Sequence, residues 1–472
     1  MNQPPAIVAR RKLSDWYRPN HIHPQNIPEA IVRTVLDRVD PQDLQTFLEP
    51  SIESIPSPLS LKNIRKATQL FIEALTNRKK IVIVGDYDAD GICSVTLIIR
   101  FLKEIRYDNA QYFIPNRFDH GYGLTDTALP LILNLNPDLI ITVDNGISAQ
   151  KEIDHLMKRG ISVIVTDHHA LPTNSLPNCT ILNPKQRECR FPFKDISGVG
   201  VTYLFLIAIR MEMRSQGFWS DRRSEPNLLK HLDLVALGTV TDQVPLLGLN
   251  RIFVRNGLKQ MTKQIQRGYG SRFFFYLKMF AEHRAIRFFN CESIGYYLGP
   301  LLNAAGRMED ASLAVRFLLS DSESEANKNL QALNRLNNKR KRLQDSMTKK
   351  AQKQAASLAK LHSGILICDD TFHEGLIGIV ANRLSDLFQL PSIVATAEKN
   401  GNIKSSCRSK HINILAVLKE CDAHLLQYGG MPMLPAVVFV RRILISSGKI
   451  FIRPVLILRH NKNPISSRPI LK

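Results

Sequence analysis

Residues 79–91 read KKIVIVGDYDADG, and the fold hinges on them. Ile81, Val82, Ile83 and Val84 form an apolar run without polar alternation, the mark of a strand buried on both faces. The run halts at Gly85 and opens into a loop with aspartate at every second position, Asp86, Asp88 and Asp90. The same grammar recurs downstream. AQYFIP (110–115), PDLIITVDNGI (137–147), GISVIVTDHHALP (160–172) and CTILNP (179–184) read as further strands, most of them running into a polar loop, and Thr125–Leu135 and Ala149–Arg159 read as helices. Buried strands alternating with helices of about ten to fifteen residues predict a doubly wound parallel α/β sheet over 79–185, covered on both faces.

Outward from that sheet, residues 1–60 read as an N-terminal extension with a helix at EAIVRTVLDRV, followed by a helix near Leu61–Leu75. Helices dominate from Gly198 to Leu319. Residues 322–360 contain neither Gly nor Pro and are rich in helix formers, which predicts a long connecting helix. A second, smaller α/β unit follows in SGILICDD, EGLIGIVANRLSDLF, PSIVAT and INILAVLKEC. The expected division is an extension (1–60), a larger domain (61–320), the connecting helix (321–360), a smaller domain (361–430) and a basic tail (431–472).

Composition narrows the class. Apolar residues make up 44% and charged residues 22% of 472, which excludes a disordered chain and a small disulfide scaffold. The net charge of +21 favours a polyanionic partner. Seven dispersed cysteines with no CxxC pair fit free thiols in a reducing cytoplasm. The N-terminus lacks an apolar core of the secretory kind, and no uninterrupted apolar run is long enough to span a membrane. The expectation is a cytoplasmic protein without a membrane partner.

In open parallel sheets, ligands bind beyond the carboxyl ends of the strands. Those ends here carry Asp86, Asp88 and Asp90, then Asp144, then Asp167, His168 and His169, and the apolar run LDLVALGTV leads to Asp242. A single aspartate after a strand is ordinary turn or cap chemistry. Several acids and two histidines on one rim repel one another unless cations or protons neutralise them. Oxygen and imidazole donors without cysteine favour Mn²⁺ or Mg²⁺, and this many ligands suits two ions. Such a pair supports hydrolysis of phosphodiester or phosphoanhydride bonds.

GDYDADG, TVDNG, TDHH and LGTVTD, in that order, resemble the four metal-site motifs of the DHH phosphoesterases. PNRFDHGYGL and LGPLLNAAGRM resemble the RecJ-type single-strand-specific exonucleases within that superfamily. FHEGLIGIVANRL and KSSCRS resemble the accessory DHHA1 domain. The resemblance covers about 60–430 and makes the larger unit a DHH domain and the smaller one DHHA1-like. It implies that Asp86, Asp88, Asp90, Asp144, His168 and Asp242 hold metal and that His169 faces substrate phosphate. Asp167 is expected either to ligate metal or to orient its neighbours, and His169 and Asp167 are the candidate catalytic pair. Asn303, Arg307, His373, Ser406, Arg408, Gly429 and Gly430 are the implied substrate-binding residues.

The chain departs from the family where a GGHxxAAG-type loop is expected: it reads GGMPMLPAVV, with Met431 in place of the histidine. Residues 431–472 hold eight lysines and arginines and no acid, and the reading is an aberrant tail on a C-terminally incomplete enzyme. The function implied is metal-dependent 5′→3′ exonuclease action on single-stranded DNA in recombination and repair. A single-strand-binding protein and a helicase are the further partners implied. The alternatives are a phosphodiesterase for oligonucleotides or cyclic dinucleotides, and an inactive product that only binds nucleic acid.

Overall fold

The structure is a computed structural model and describes residues 39, 47–172, 175–221, 223–267, 274–397, 402–420, 425, 427–429 and 436–440. The chain divides into two compact units, Met1–Asn303 with Ala311–Leu330, and Ala304–Asp310 with Gln331–Lys472.

The first unit is built on five parallel strands: β1 (Ile81–Gly85), β2 (Ala110–Phe113), β3 (Leu139–Val143), β4 (Ser162–Thr166) and β5 (Thr180–Leu182). Their order is β2-β1-β3-β4-β5. Every residue of β1 and β3 is buried, as the unbroken apolar runs require. Val82, Val84, Ile140, Val163 and Val165 pack against short helices α3 (Leu129–Leu133) and α4 (Gln150–Met157) on one face.

The other face is covered by α2 (Ala89–Glu104) and α5 (Gly198–Ser215), with α6 (Leu232–Thr241) packed on both. Residues 89–102 of α2 are all buried, as expected of a helix sandwiched between a sheet and further helices. Helix α1 (Ile64–Thr76) packs on α5. The unit continues with α7 (Gly248–Arg267), α8 (Phe275–Arg284), a π-helical turn (Ser293–Leu298), the start of α9 (Gly299–Met308), whose residues from Ala304 on belong to the second unit, and α10 (Ser312–Leu318).

An ion pair with no solvent exposure ties α2 to α6. Arg100 Nη1 lies 3.0 Å from Asp233 Oδ2. The Tyr276 hydroxyl on α8 donates to the same oxygen at 2.7 Å, and Arg100 Nη2 donates to the Leu318 carbonyl at 2.9 Å. The helix whose first turn carries Asp90 is thereby locked to the helix that ends at Asp242.

The expected connecting helix is α11, Glu323–Leu361. The second unit holds a mixed sheet of β6 (Ile365–Cys368), β7 (Ser392–Ala397), β8 (Asn402–Arg408), β9 (Gln427–Gly429) and β10 (Ala436–Val440), in the order β6-β7-β8-β10-β9. Only β6 and β7 are parallel. Helix α12 (Ile377–Phe388) packs on β7 and β8, and α13 is Ile414–Glu420.

Two expectations need correction. The helix expected over 125–135 shrinks to Leu129–Leu133, because Gly121 and Gly123 turn at positive φ and Pro130 restricts helix entry to its first turn. The boundary at 430 is too early. Ala436–Val440 hydrogen-bonds to β8 on one side and β9 on the other, so the sheet takes residues from beyond Met431. Save for Val39, the helix expected at 29–39 lies outside the described residues, as do Gly430 and most of the tail. No helix among the described residues is long and apolar enough to cross a membrane.

Candidate metal centre

The strand order 2-1-3-4-5 reverses its winding between β1 and β3, and a crevice opens at the carboxyl ends of strands flanking such a switch point. Asp86 follows β1 and Asp144 follows β3, so sheet topology alone brings them together. His168 follows β4. Asp242 arrives from a different direction, as the C-terminal cap of α6.

Backbone contacts or conformation aim three of the acids. Asp88 caps α2, accepting from Asp90 N–H at 3.0 Å and Gly91 N–H at 3.2 Å. Asp90 accepts from Gly198 N–H at 2.7 Å and Val199 N–H at 3.0 Å, at the N-terminus of α5. Asp144 sits at φ +62°, a left-handed conformation that side chains rarely adopt and that surrounding structure must enforce. A Cβ on Gly198 would stand 2.5 Å from Asp144 Oδ1, and one on Gly238 would stand 2.6 Å from Asp90 Oδ1. Only glycine leaves these carboxylates room.

Three overlapping groups of side chains are close enough to share an ion: Asp86, Asp88 and Asp144; Asp90, His168 and Asp242; and Asp144, His168 and His169. His168 Nε2 lies 3.1 Å from Asp144 Oδ1 and 3.7 Å from Asp242 Oδ2. Asp86 Oδ1, Asp144 Oδ1, His168 Nε2 and Asp242 Oδ2 are buried and have no hydrogen-bond partner. Buried polar atoms are normally satisfied, so four orphans converging on one rim suit a bound cation.

The electrostatics agree. Burial, then the charge of Asp88, raises Asp86 well above the usual carboxylate range. Burial, then Asp90 and Asp88, does the same to Asp144. Burial and Asp88 lift Asp90 to about 7, and burial with Asp90 and Asp88 lifts Asp242 to about 9. Burial, then His169, pushes His168 down to about 3, leaving a neutral imidazole suited to coordination. Without cations these acids hold protons; with cations they ionise.

His169 behaves oppositely to its neighbour. Burial opposes its charge, but the hydrogen bond to Asp167 and that carboxylate's charge raise it to about 9. Its Nδ1 donates to Asp167 Oδ1 at 2.8 Å. Asp167 also accepts from the backbone N–H groups of His168, His169 and Ile147 at 2.7, 3.0 and 3.0 Å. With both oxygens occupied, Asp167 fixes the His169 ring and the backbone that carries both histidines.

Sequence reasoning passed over Tyr122, whose hydroxyl donates to the Asp144 carbonyl at 3.2 Å and lies 3.3 Å from His169 Nε2. It also passed over Arg117, whose guanidinium sits 4.2 Å over the Tyr87 ring. Both lie in PNRFDHGYGL, a quoted motif whose individual side chains carried no assigned role. Asn303 has its amide oxygen engaged with Ala89 N–H at 2.8 Å, so it pins the acidic loop.

The second unit gathers the remaining expected residues at the head of α12, whose first turn has no side-chain cap. Arg307 Nη1 donates to the Gly375 carbonyl at 3.4 Å, and His373 Nδ1 accepts from Gly375 N–H at 3.2 Å. Arg408 Nη1 donates to Ser406 Oγ at 2.8 Å. A Cβ on Gly378 would lie 2.8 Å from Arg408 Nη2 and 3.0 Å from Ser406 Oγ, which places both side chains against the same turn. Helix N-termini flanked by arginine suit phosphate. Gly429 is an ordinary strand residue by its backbone, paired with Ala436.

Comparison with known proteins agrees with this geometry. The profile described as the DHH family, N-terminal domain, matches residues 80–239. The single-stranded-DNA-specific exonuclease RecJ of Haemophilus influenzae is 34% identical over 395 residues, covering 82% of this chain and 68% of that protein. A crystal structure of exonuclease RecJ bound to manganese superposes with a TM-score of 0.71 at 30% identity, covering 85% of this chain and 96% of that one. RecJ from Thermus thermophilus in complex with Mn²⁺ gives a TM-score of 0.73 at 28% identity, covering 93% of this chain and 62% of that one.

Proposed function

The chain belongs to the RecJ family of single-stranded-DNA-specific exonucleases, and from that premise we propose that it hydrolyses the phosphodiester bonds of single-stranded DNA at the acidic rim of its first unit. Asp86, Asp88, Asp90, Asp144, His168 and Asp242 would hold Mn²⁺ or Mg²⁺ there, as a pair of ions. The observation that carries this reading is the set of four buried, unpartnered donor atoms on Asp86, Asp144, His168 and Asp242. Divalent ions in such a site supply a Lewis acid for the phosphate and an acidified water.

The chain's own groups supply the rest. Asp167 holds His169 in its charged form, and that imidazolium offers an N–H to a phosphate oxygen. The Tyr122 hydroxyl braces Asp144 and sits beside His169. Asn303 fixes the loop that presents Asp88 and Asp90. In the second unit, Arg307, Arg408, Ser406 and His373 form a phosphate grip, which holds a backbone without reading bases.

The 5′→3′ direction and the role in recombination and repair follow from family membership and complete the proposal. We propose in addition a cytoplasmic location and work alongside a single-strand-binding protein and a helicase. The test is purified protein with 5′- and 3′-labelled single strands, a duplex and a dinucleotide, with and without Mn²⁺. Mn²⁺-dependent release of the 5′ label from single strands, with the duplex spared, is the expected result. Turnover of the dinucleotide alone would make the protein a small-substrate phosphodiesterase instead.

A further inference from the structure

Helix α7 carries Arg251, Arg255, Lys259 and Lys263 at four-residue intervals. That spacing puts them on one face, with about 6 Å of rise between neighbours. Between Asp242 and Glu282 the sequence holds no acid. Like charges four apart on a helix repel, and no carboxylate in this stretch relieves them. Burial, with Arg255 beside it, pushes the Arg251 guanidinium down.

The first two cations are partly engaged: Arg251 Nε donates to the Phe47 carbonyl at 2.5 Å and Arg255 Nη1 to the Leu48 carbonyl at 2.7 Å. Lys259 and Lys263 are exposed and make no hydrogen bond or ion pair among the described residues. All four line a groove of about 460 Å³ with Leu246, Val254, Leu258 and Phe289 among its apolar lining. Phe289 N–H donates to Thr262 Oγ1 at 2.9 Å, which fastens this stretch to α7, and the adjoining Phe288 is 63% exposed.

The ladder has a direction. Gly257 approaches the Leu232 carbonyl too closely to admit a Cβ. The middle of α7 therefore lies against the start of α6, and α7 runs back along α6 from the Asp242 end. Arg251 is nearest the metal centre, and Lys263 lies farther along the path away from it.

We propose that this ladder is a second nucleic-acid site, which holds the phosphates of single-stranded DNA outside the metal centre while Phe288 stacks on a base. The proposal rests on the exonuclease reading. An evenly spaced row of cations fits a polymer with one charge per repeat, and single-stranded DNA is the polymer that activity brings to the protein. Cations tracking the backbone beside an exposed aromatic ring are the elements of sequence-tolerant single-strand binding.

The test compares wild type, Lys259→Ala/Lys263→Ala and Phe288→Ala. Affinity for a long oligodeoxythymidylate is measured against ionic strength in chelator, and hydrolysis of a dinucleotide and of the long strand is measured with Mn²⁺. The double variant should bind several-fold more weakly and lose about 1.4 from the log–log salt slope, at about 0.7 per phosphate on single strands. Its dinucleotide hydrolysis should equal wild type. Phe288→Ala should weaken binding with the slope intact. Unchanged affinity and slope in the double variant overturn the proposal. So does loss of polyglutamate binding with oligonucleotide binding retained, which would mark an acidic protein as the occupant. A wild-type protein that cleaves no single strand overturns the exonuclease reading, and this proposal with it.

Discussion

His168 Nε2 stands 3.1 Å from Asp144 Oδ1, both atoms are buried, and neither is hydrogen-bonded. With His168 held neutral by burial, this approach is not an ion pair. The geometry fits a cation shared by the two side chains. Asp144→Asn keeps the volume, relieves the crowding of Asp86, Asp88, Asp90 and Asp242, and suits the left-handed backbone at least as well. The metal-free variant should melt above metal-free wild type. Wild type should gain about 2.7 kcal/mol from Mn²⁺ at a hundred times its dissociation constant, and the variant much less. Thermal melts with and without Mn²⁺ check this; equal shifts in the two proteins would place the ion elsewhere.

The metal-free protein should lose stability as pH rises from 7 to 9. Asp90, at about 7, and Asp242, at about 9, lie above the carboxylate's unfolded value of about 3.9. A raised folded pKa adds stability that is complete below the unfolded value and disappears as pH climbs through the folded one. His169, raised to about 9, acts in the same direction over this window. The shift of His168 works below its unfolded value of about 6.5 and stays out of it. Mg²⁺ replaces the departing protons, so its stabilising effect should grow with pH. Melting temperatures in chelator that stay level or rise from pH 7 to 9 would count against this charge arrangement.

Gly198→Ala should damage the site from outside its ligand set. The new methyl group would meet Asp144 Oδ1 at 2.5 Å, at the position whose N–H also holds Asp90. Overpacking of this kind costs about 1–3 kcal/mol. Displacing a supporting contact lowers metal affinity by about 10–100-fold. Calorimetric titration with Mn²⁺ reads the affinity, and a wild-type value would show that Asp144 has room to move.

The Arg100–Asp233 pair should be expensive to break and cheaper to replace whole. Asp233→Ala leaves a buried guanidinium uncompensated and should cost about 3–5 kcal/mol in urea unfolding. Arg100→Met combined with Asp233→Leu removes both charges and should cost less than that single change. A double variant no more stable than Asp233→Ala would mean that the helices depend on the shape of the pair more than on its charge.

Much of this fold is legible in the sequence. Unbroken apolar runs ending in acids show parallel strands directly, because β1 and β3 have no exposed face to encode. The candidate ligands were legible because each lies at or just beyond the end of a strand or helix. The contacts that aim the ligands were not visible. Asn303 reaches Ala89 across 214 positions and Gly198 reaches Asp90 across 108, and both depend on helix packing that no local pattern records. Arg100 interrupts an otherwise apolar stretch of α2, and only tertiary packing brings Asp233 and Tyr276 beside it. The strand at Ala436–Val440 was hidden by the composition of the tail around it.

The acidic rim is proposed as a divalent-metal centre for cutting single-stranded DNA. Its most direct test is the rate of nucleotide release from a labelled single strand, for wild type and Asp144→Asn, in chelator and then across a Mn²⁺ titration. Wild type should be silent in chelator and recover with Mn²⁺, while Asp144→Asn should stay inactive at Mn²⁺ concentrations that saturate wild type. Undiminished release in chelator, or wild-type release by Asp144→Asn, would contradict the account.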